Sequence, residues 1–240
     1  MGDESFLKRP SERPAPFAVS ERVGTASESA RPLYRRIGQR IFEVLTRALC
    51  RVCCPVRITG KENFPATPYL ICANHASHMD TIAILIATGE PFSRFAILAA
   101  KDYFFATELR RAGFGSLLNL IPLERTASPS STLRTVTACR GFLHQNDGAG
   151  LIIFPEGTRS VTDTVAPFRR GSALFPMRLG LPLVPVWIGG TRLIMPKGRL
   201  MPRLGQISVH IGKPLGQKTG NSVMLEARRQ IVAMQESADA

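Results

Sequence analysis

The sequence predicts an α/β fold: a single domain with a mostly parallel central sheet flanked by helices, preceded by an N-terminal amphipathic helix. Three observations predict it. From residue 56 onward, short apolar runs alternate with segments of helical periodicity, an order typical of parallel βαβ units. The 240 residues suffice for one substantial core, and no internal repeat divides them. Polar residues directly follow two of the apolar runs, at the sheet edge where such folds bind ligands.

Residues 1–32 are rich in Pro, Ser, Glu and Arg and lack hydrophobic periodicity. Such a segment cannot bury enough apolar surface to offset the entropy lost on ordering. It also lacks the apolar stretch of a secretory signal, and no part of the chain reaches the roughly 18 apolar residues of a membrane span. We therefore expect a disordered arm over residues 1–32.

A basic amphipathic helix is predicted over residues 33–54. Apolar residues recur at steps of three and four from Leu33 to Val52, arginines lie between them, and Pro55 ends the pattern. One interpretation is a surface helix packed on its own domain. The other, which the arginines favour, is a helix that lies in the membrane interface with its arginines on lipid phosphates.

The remaining elements follow in order along residues 55–240. The helix with serines at its start begins near Ser130, and the helix that contains Pro176 is expected to kink there. Apolar runs of strand length predict strands at 69–73, 94–100, 119–123, 150–155, 183–190 and 206–212, and helical periodicity predicts helices at 81–89, 104–115, 130–146, 169–180 and 221–236.

The charge balance restricts the partners. The chain has 31 Lys+Arg against 18 Asp+Glu, a formal net charge of +13, which attracts nucleic acid, anionic membranes or phosphorylated ligands. Aromatic residues make up only 7% and do not alternate with an Arg-rich tract, which argues against a platform for single-stranded nucleic acid. We therefore expect an anionic membrane surface or a phosphorylated ligand, and no nucleic acid.

The five cysteines do not form a regular framework. Their odd number argues against disulfides, and free thiols fit a reducing compartment. Cys50, Cys53 and Cys54 superficially suggest a metal site, but no second Cys/His pair follows at a finger-like distance. We expect buried or membrane-facing thiols and no bound metal.

The stretch NHASHMD, residues 74–80, follows the predicted strand at 69–73. On one continuous helix, His75 and Asp80 would point about 140° apart. Ser77 and Asp80 instead form a capping-box pattern, at N-cap and N3, which leaves His75 on the turn before the helix. Asp80 can then bind one imidazole nitrogen and leave the other free as a base, an arrangement used in acyl transfer. The alternative is that Asp80 only caps the helix and His75 is a turn residue; His78 is interpreted as a helix-start residue.

A second polar loop, residues 156–160, follows the predicted strand at 150–155. Gly157 permits close backbone approach, Thr158 offers a hydroxyl and Arg159 a guanidinium, which are the parts of a phosphate site. The alternative is an ordinary polar loop between a strand and a helix. Both polar loops are expected at the same edge of the sheet.

Together these stretches resemble the glycerophosphate/lysophospholipid acyltransferase family. Its first block, N-H-x-x-x-x-D, is met at 74–80, and its third, F-P-E-G-T-R-S, is matched at every position of 154–160. The second block, roughly G-x-x-F/P-I/V-x-R, is met at 119–125, with Asn119 where Gly is usual, and the fourth, an apolar V-P-V run, at 184–186. The order and spacing of the blocks agree with the family as well.

The resemblance implies a glycerol-3-phosphate acyltransferase-like fold and an acyltransferase domain over residues 55–240. It implies transfer of a fatty acyl group from acyl-CoA or acyl carrier protein to the free hydroxyl of a lysophospholipid, without a resident cofactor. The expected acceptor is 1-acyl-sn-glycerol-3-phosphate, which gives phosphatidic acid. Another lysolipid, such as a lyso-ornithine lipid, is the alternative acceptor, and a non-catalytic lipid-binding protein of the same fold is the alternative function.

The resemblance also implies roles for individual residues. His75 is the general base, oriented by Asp80, while Arg125 and the loop from Glu156 to Arg159 hold the acceptor's phosphate. Glu156 is itself an anion, so we expect it to orient Arg159 or a hydroxyl. Lys101 is a further candidate for the phosphates of either substrate. Such a basic enzyme is expected to be peripheral or monotopic on the cytoplasmic face of an anionic membrane.

Overall fold

The computed structural model describes residues 33–100, 117–124, 128–162, 164–196, 202–216 and 221–239. The arm predicted at 1–32, the helix predicted at 104–115, and Lys101 and Arg125 lie outside these residues. The helices are α1 (Leu33–Cys53), α2 (Met79–Thr88), α3 (Pro129–Gln145), α4 (Leu174–Leu179), α5 (Thr191–Ile194) and α6 (Asn221–Asp239). The strands are β1 (Val56–Thr59), β2 (Leu70–Ala73), β3 (Phe95–Ala100), β4 (Asn119–Leu123), β5 (Gly150–Ile153), β6 (Leu183–Gly189) and β7 (Ile207–Ile211).

The seven strands form one mixed sheet in the order β1-β7-β6-β2-β5-β3-β4. From β6 to β4, every neighbouring pair is parallel, whereas β7 runs antiparallel to β6 and carries β1 parallel beside it. The mostly parallel sheet is therefore confirmed. Since β2 lies between β5 and β6, the carboxyl ends of these three strands meet at one edge.

The period of two along each strand divides the core into two layers. Ile71 and Ala73 of β2 face the layer that contains α2, while Leu70 and Cys72 face the layer that contains α3 and α6. All four residues are fully buried, as expected for a strand covered by helices on both faces. This alternation places helices on both faces of the sheet, as predicted for a central sheet flanked by helices.

Helix α1 packs on the domain through Cys50 and Phe42, which contact the hydrophobic core, and through two buried polar side chains. Gln39 and Glu43 are 4% and 5% exposed, and they bind Asn119 Oδ1 and the backbone N–H of Phe92, respectively, at 3.4 Å. The outward side carries eight large apolar residues that are 48–80% exposed, namely Leu33, Tyr34, Ile37, Ile41, Val44, Leu45, Leu49 and Val52. Most of the apolar stripe of α1 is thus exposed, whereas an ordinary surface helix buries its stripe.

Three elements differ from the sequence-based prediction. The pattern did not separate β1, which alternates between partly buried and exposed residues and so forms no apolar run, or the one-turn helix α5, which is shorter than the window on which helical periodicity depends. The helix predicted at 169–180 is instead a 3-10 turn at Arg170–Ala173 followed by α4. Pro176 then lies in the first turn of α4, where its missing N–H has no partner within α4 to lose. Among the described helices, none combines the length and hydropathy needed to cross a bilayer.

Candidate active site

Three neighbouring strands bring the candidate residues to one sheet edge. Cys72 of β2 is in register with Ile153 of β5, and Ala73 with Val186 of β6. The segments that begin at Asn74 and Phe154 therefore start side by side, while β6 extends three residues further, to Gly189. The expectation that both polar loops lie at the same edge is confirmed by this register.

His75 and Asp80 form a hydrogen-bonded pair. His75 Nδ1 lies 2.9 Å from Asp80 Oδ2, and the Asp80 side chain is fully buried while that of His75 is 18% exposed. A carboxylate only accepts hydrogen bonds, so Nδ1 carries the proton in the neutral imidazole and Nε2 carries the lone pair. The geometry is that of a base and its orienting group.

The start of α2 explains how residues five apart can meet. Asp80 Oδ2 also accepts from the backbone N–H groups of Ala76, at 2.6 Å, and Ser77, at 2.8 Å, which folds the turn back over the helix. The helix begins one residue later than the capping pattern predicted and two residues earlier than the periodicity predicted: His78 is the N-cap, so Ser77 at N-cap and Asp80 at N3 were wrong by one position. Ser77 Oγ binds the N–H of Met79 at 3.2 Å rather than that of Asp80.

The loop after β5 holds the backbone of His75 on both sides. Glu156 Oε1 accepts from the His75 N–H at 2.9 Å, and the Ser160 N–H donates to the His75 carbonyl at 2.7 Å. The His75 ring also stacks on Phe154, with ring centroids 4.1 Å apart. The two sequence blocks therefore form a single structural unit around the imidazole.

Glu156 is 5% exposed, and burial raises the pKa of its carboxyl to about 7. The backbone N–H groups of His75 and Ala166 and the charge of Arg228 act in the opposite direction, while Asp80 raises the pKa further. The carboxylate's described hydrogen bonds come from those two N–H groups. Glu156 thus orients backbone in these contacts, where the sequence predicted Arg159 or a hydroxyl.

Gly157, Thr158 and Arg159 form the turn between Glu156 and Ser160. Gly157 has φ of 72°, in the left-handed region that side chains disfavour, and a Cβ there would overlap Nε of Arg169. Thr158 is exposed and Arg159 is partly exposed. Their phosphate-binding role stays a prediction.

A cavity of about 440 Å³ opens at this edge. Its lining includes His75 and Glu156 of the two polar loops and Thr191 and Arg192 of α5. Its size is within the range of small-molecule sites, roughly 300–1,000 Å³. The histidine therefore faces a space that can admit a substrate.

Two residues around the site escaped the sequence-based list of site residues. The Asn74 side chain donates to the Ile188 carbonyl at 2.9 Å and accepts from its N–H at 2.8 Å, so it joins the first block to β6. Thr191 Oγ1 donates to Asp80 Oδ1 at 2.5 Å. The signal for Thr191 was available, because a polar residue that follows a strand of a parallel sheet lies at the ligand edge.

The cysteines are free thiols. Cys50, Cys54, Cys72 and Cys139 are buried, and Cys53 is partly buried. Within the described part of the chain, no three His, Cys, Asp or Glu residues lie close enough together to hold a metal ion.

Comparison with known proteins identifies relatives. The chain is 31% identical over 178 residues to the chloroplastic 1-acyl-sn-glycerol-3-phosphate acyltransferase BAT2 of Brassica napus, covering 72% of this chain and 49% of that protein. It is 30% identical over 206 residues to a 1-acyl-sn-glycerol-3-phosphate acyltransferase of Chlamydomonas reinhardtii, covering 83% of this chain and 59% of the relative. The chain thus spans about half the length of these relatives.

The fold matches a solved structure. The crystal structure of the 1-acyl-sn-glycerophosphate (LPA) acyltransferase PlsC from Thermotoga maritima superposes with a TM-score of 0.67 at 23% identity, covering 86% of this chain and 81% of that one. A family model described as Acyltransferase matches residues 55–189. Since that match extends over more than half of the chain, the protein belongs to the acyltransferase family.

Proposed function

We propose that the protein is an O-acyltransferase that moves a fatty acyl group from an acyl thioester to the free hydroxyl of a lysophospholipid. The expected acceptor is 1-acyl-sn-glycerol-3-phosphate and the expected product is phosphatidic acid. The observation that carries the proposal is the His75–Asp80 pair, 2.9 Å apart, at the wall of a cavity. The names of the relatives from Brassica napus and Chlamydomonas reinhardtii support the choice of acceptor.

The reaction follows from the pair. His75 Nε2 takes the proton of the acceptor hydroxyl as its oxygen attacks the thioester carbonyl, and the new C–O bond gives a tetrahedral intermediate. The C–S bond then breaks, and the imidazolium returns the proton to the leaving thiolate. Asp80, which binds Nδ1, stabilises the imidazolium between the two steps. Because the acceptor hydroxyl attacks directly, no Ser or Cys nucleophile is needed.

The loop of residues 156–160 fits the task of placing the acceptor. It is hydrogen bonded to the His75 backbone at Glu156 and Ser160, so a phosphate held by Arg159 and Thr158 would have a fixed distance from the imidazole. Fixing the hydroxyl near the base in this way is positional catalysis. We assign Arg125 and Lys101 the same phosphate-binding role, in line with the sequence-based prediction.

The donor is expected to be acyl-CoA or acyl carrier protein, and both are anionic. The formal net charge of +13 favours such partners. In this proposal the thioester is a co-substrate, and no resident cofactor takes part. Free thiols at the described cysteines fit a reducing compartment, which favours the cytoplasmic face of the membrane.

The catalytic role is tested by His75→Ala, with His78→Ala as the matched control three residues away. With labelled acyl-CoA and 1-acyl-sn-glycerol-3-phosphate, we expect His75→Ala to lower kcat by about 10²–10⁴-fold, the usual contribution of a general base. The control should retain activity. Undiminished acyl transfer by purified His75→Ala would overturn the proposed base, and no transfer by the wild type would favour a non-catalytic lipid-binding protein.

The acceptor is tested by a panel of lysolipids assayed with one acyl donor. We expect the highest kcat/KM with 1-acyl-sn-glycerol-3-phosphate. A higher value with a lyso-ornithine lipid, which lacks the phosphate, would overturn both the acceptor and the phosphate-binding role of Arg159. The same panel assayed with acyl carrier protein as donor distinguishes the two carriers.

Membrane contact is proposed for the apolar side of α1. Helix α1 presents its apolar stripe outward, and Arg36, Arg40 and Arg51 of the same helix are exposed, as is typical of a helix that lies at a membrane interface. The exposed stripe continues beyond the helix, since the Gly205 N–H donates to the Cys53 carbonyl at 3.1 Å and the adjacent Leu204 is 80% exposed. This arrangement would place the enzyme at the surface where its lipid acceptor resides.

Sedimentation with vesicles of phosphatidylcholine and phosphatidylglycerol tests this contact. Burying one leucine or isoleucine side chain contributes about 1.5–3 kcal/mol, so Ile41→Asp combined with Leu45→Asp should weaken binding at least about tenfold. Leu133→Asp is the matched control, because Leu133 is 61% exposed on α3. Equal sedimentation of the double variant and the control would contradict the membrane role of α1.

A further inference from the structure

Thr191 lies behind the His75–Asp80 pair, where no sequence block of the family placed a residue. It is 1% exposed and begins α5, directly after Gly190. Gly190 has φ of 84°, and a Cβ there would overlap the Gln206 carbonyl oxygen. This left-handed turn directs the chain from β6 back to Asp80, and Thr191 Oγ1 donates to Asp80 Oδ1 at 2.5 Å.

The two oxygens of the Asp80 carboxylate have different partners. Oδ2 accepts from His75 Nδ1, Ala76 N and Ser77 N, whereas Oδ1 accepts from Thr191. The terminal torsion of an aspartate is broad and easily rotated. A donor on each oxygen holds the carboxylate plane in one orientation, with Oδ2 toward the imidazole.

The contact belongs to a set that joins β6 and α5 to the first sequence block. Asn74 binds both backbone groups of Ile188, and Ser77 Oγ donates to the Met195 carbonyl at 2.7 Å. Those two contacts hold backbone, so they position the turn as a whole. Thr191 alone among the three reaches the group that touches the imidazole.

We propose that Thr191 is a positioning residue for acyl transfer, which orients the Asp80 carboxylate and through it the imidazole of His75. The inference rests on the proposed function of His75 as the base. Thr191 touches no reacting atom in this scheme. Its contribution is to keep Nδ1 protonated and in line with Oδ2, so that the lone pair of Nε2 points into the cavity.

The test uses Thr191→Val, which keeps the shape of the side chain and removes the donor, and Thr191→Ser, which keeps the donor. We expect Thr191→Val to lower kcat by about tenfold to a hundredfold, the scale of a small misplacement of a catalytic group, with KM for both substrates nearly unchanged. Thr191→Ser should restore kcat to nearly the wild-type value. A rise in KM with an unchanged kcat would overturn the proposal.

Thr88→Val is the matched control for lost stability. Thr88 is 7% exposed at the far end of α2, and its Oγ1 donates to the Leu85 carbonyl at 2.9 Å, so the same substitution removes a buried hydroxyl away from the site. We expect it to lower the Tm without lowering kcat. If Thr191→Val does not fold, Thr191→Ala replaces it, with the same expected loss. Equal kcat in the Thr191 variant and the Thr88 control would overturn the inference.

A spectroscopic measurement separates this inference from the proposed reaction. The proton between Nδ1 and a carboxylate gives a downfield proton NMR resonance, which is assigned by its loss in His75→Ala. We expect that resonance to shift or broaden in Thr191→Val and to persist in Thr191→Ser and Thr88→Val. If it is unchanged in Thr191→Val, positioning by Thr191 is refuted, whatever the acyl transfer assay shows.

Discussion

Glu156→Gln should remove a pH dependence from the free energy of unfolding. Burial raises the pKa of this carboxyl from 4.5 to about 7, so the folded state binds the proton more tightly than the unfolded state. The stability gained from protonation is present below pH 4.5 and is lost as the pH rises through 7. The full difference corresponds to about 3 kcal/mol, and about 2–3 kcal/mol of it falls between pH 5 and pH 8.

Urea unfolding of the wild type and of Glu156→Gln at several pH values measures this difference. We expect the wild type to lose about 2–3 kcal/mol more than the variant between pH 5 and pH 8, because glutamine does not titrate. Glu62→Gln, at an exposed carboxylate, is the matched control and should follow the wild type. Parallel curves for the wild type and Glu156→Gln would refute the reasoning that the buried carboxyl binds its proton more tightly in the folded state.

Three further predictions concern the same part of the molecule. His78→Ala should change kcat by less than about twofold, since His78 is not among the residues that line the cavity. A loss as large as that of His75→Ala in the acyl transfer assay would contradict this. Gly157→Ala should lower the Tm, because the left-handed φ costs about 1–2 kcal/mol and the added Cβ overlaps Arg169, whereas Gly216→Ala, with open space around it, should not; equal Tm values would count against the strain. Burial raises the pKa of Cys50 and Cys139 to about 12, so both thiols should react with a disulfide reagent at pH 8 only after unfolding. Mass spectrometry measures the extent of labelling, and rapid labelling of these two cysteines in the native protein would show this to be wrong.

The pairing of His75 with Asp80 could be predicted because it depends on local chemistry. A serine and an acidic residue near a helix start favour a tight turn before the helix, and in the structure Asp80 Oδ2 holds that turn through the N–H groups of Ala76 and Ser77. The exact first residue of the helix could not be predicted in the same way. The Ser77 hydroxyl donates a hydrogen bond to the Met195 carbonyl. That partner lies 118 residues away in the sequence, so no local pattern contains it.

The orientation of α1 on the domain could not be predicted from local sequence either. Periodicity shows which residues of a helix share a side, but it does not show which side faces the domain. That choice depends on Gln39 and Glu43, whose partners are Asn119 and the backbone of Phe92. Asn119 stands where the family has Gly, and its side chain also donates to the Ser93 and Phe95 carbonyls. Asn119, a departure from the family pattern, thus supplies one of the docking contacts of α1.

The contacts between the first sequence block and β6 have a consequence for the order of folding. Asn74 and Ile188 are 114 residues apart, and pairing over such a separation is slow because a long loop must close first. A nascent chain that has emerged only as far as Gly180 already contains both polar loops, yet it lacks the strand that holds Asn74 and the threonine that holds Asp80. The contacts that position the histidine therefore form at a late stage of synthesis. A chain without β6 and Thr191 is not expected to catalyse acyl transfer.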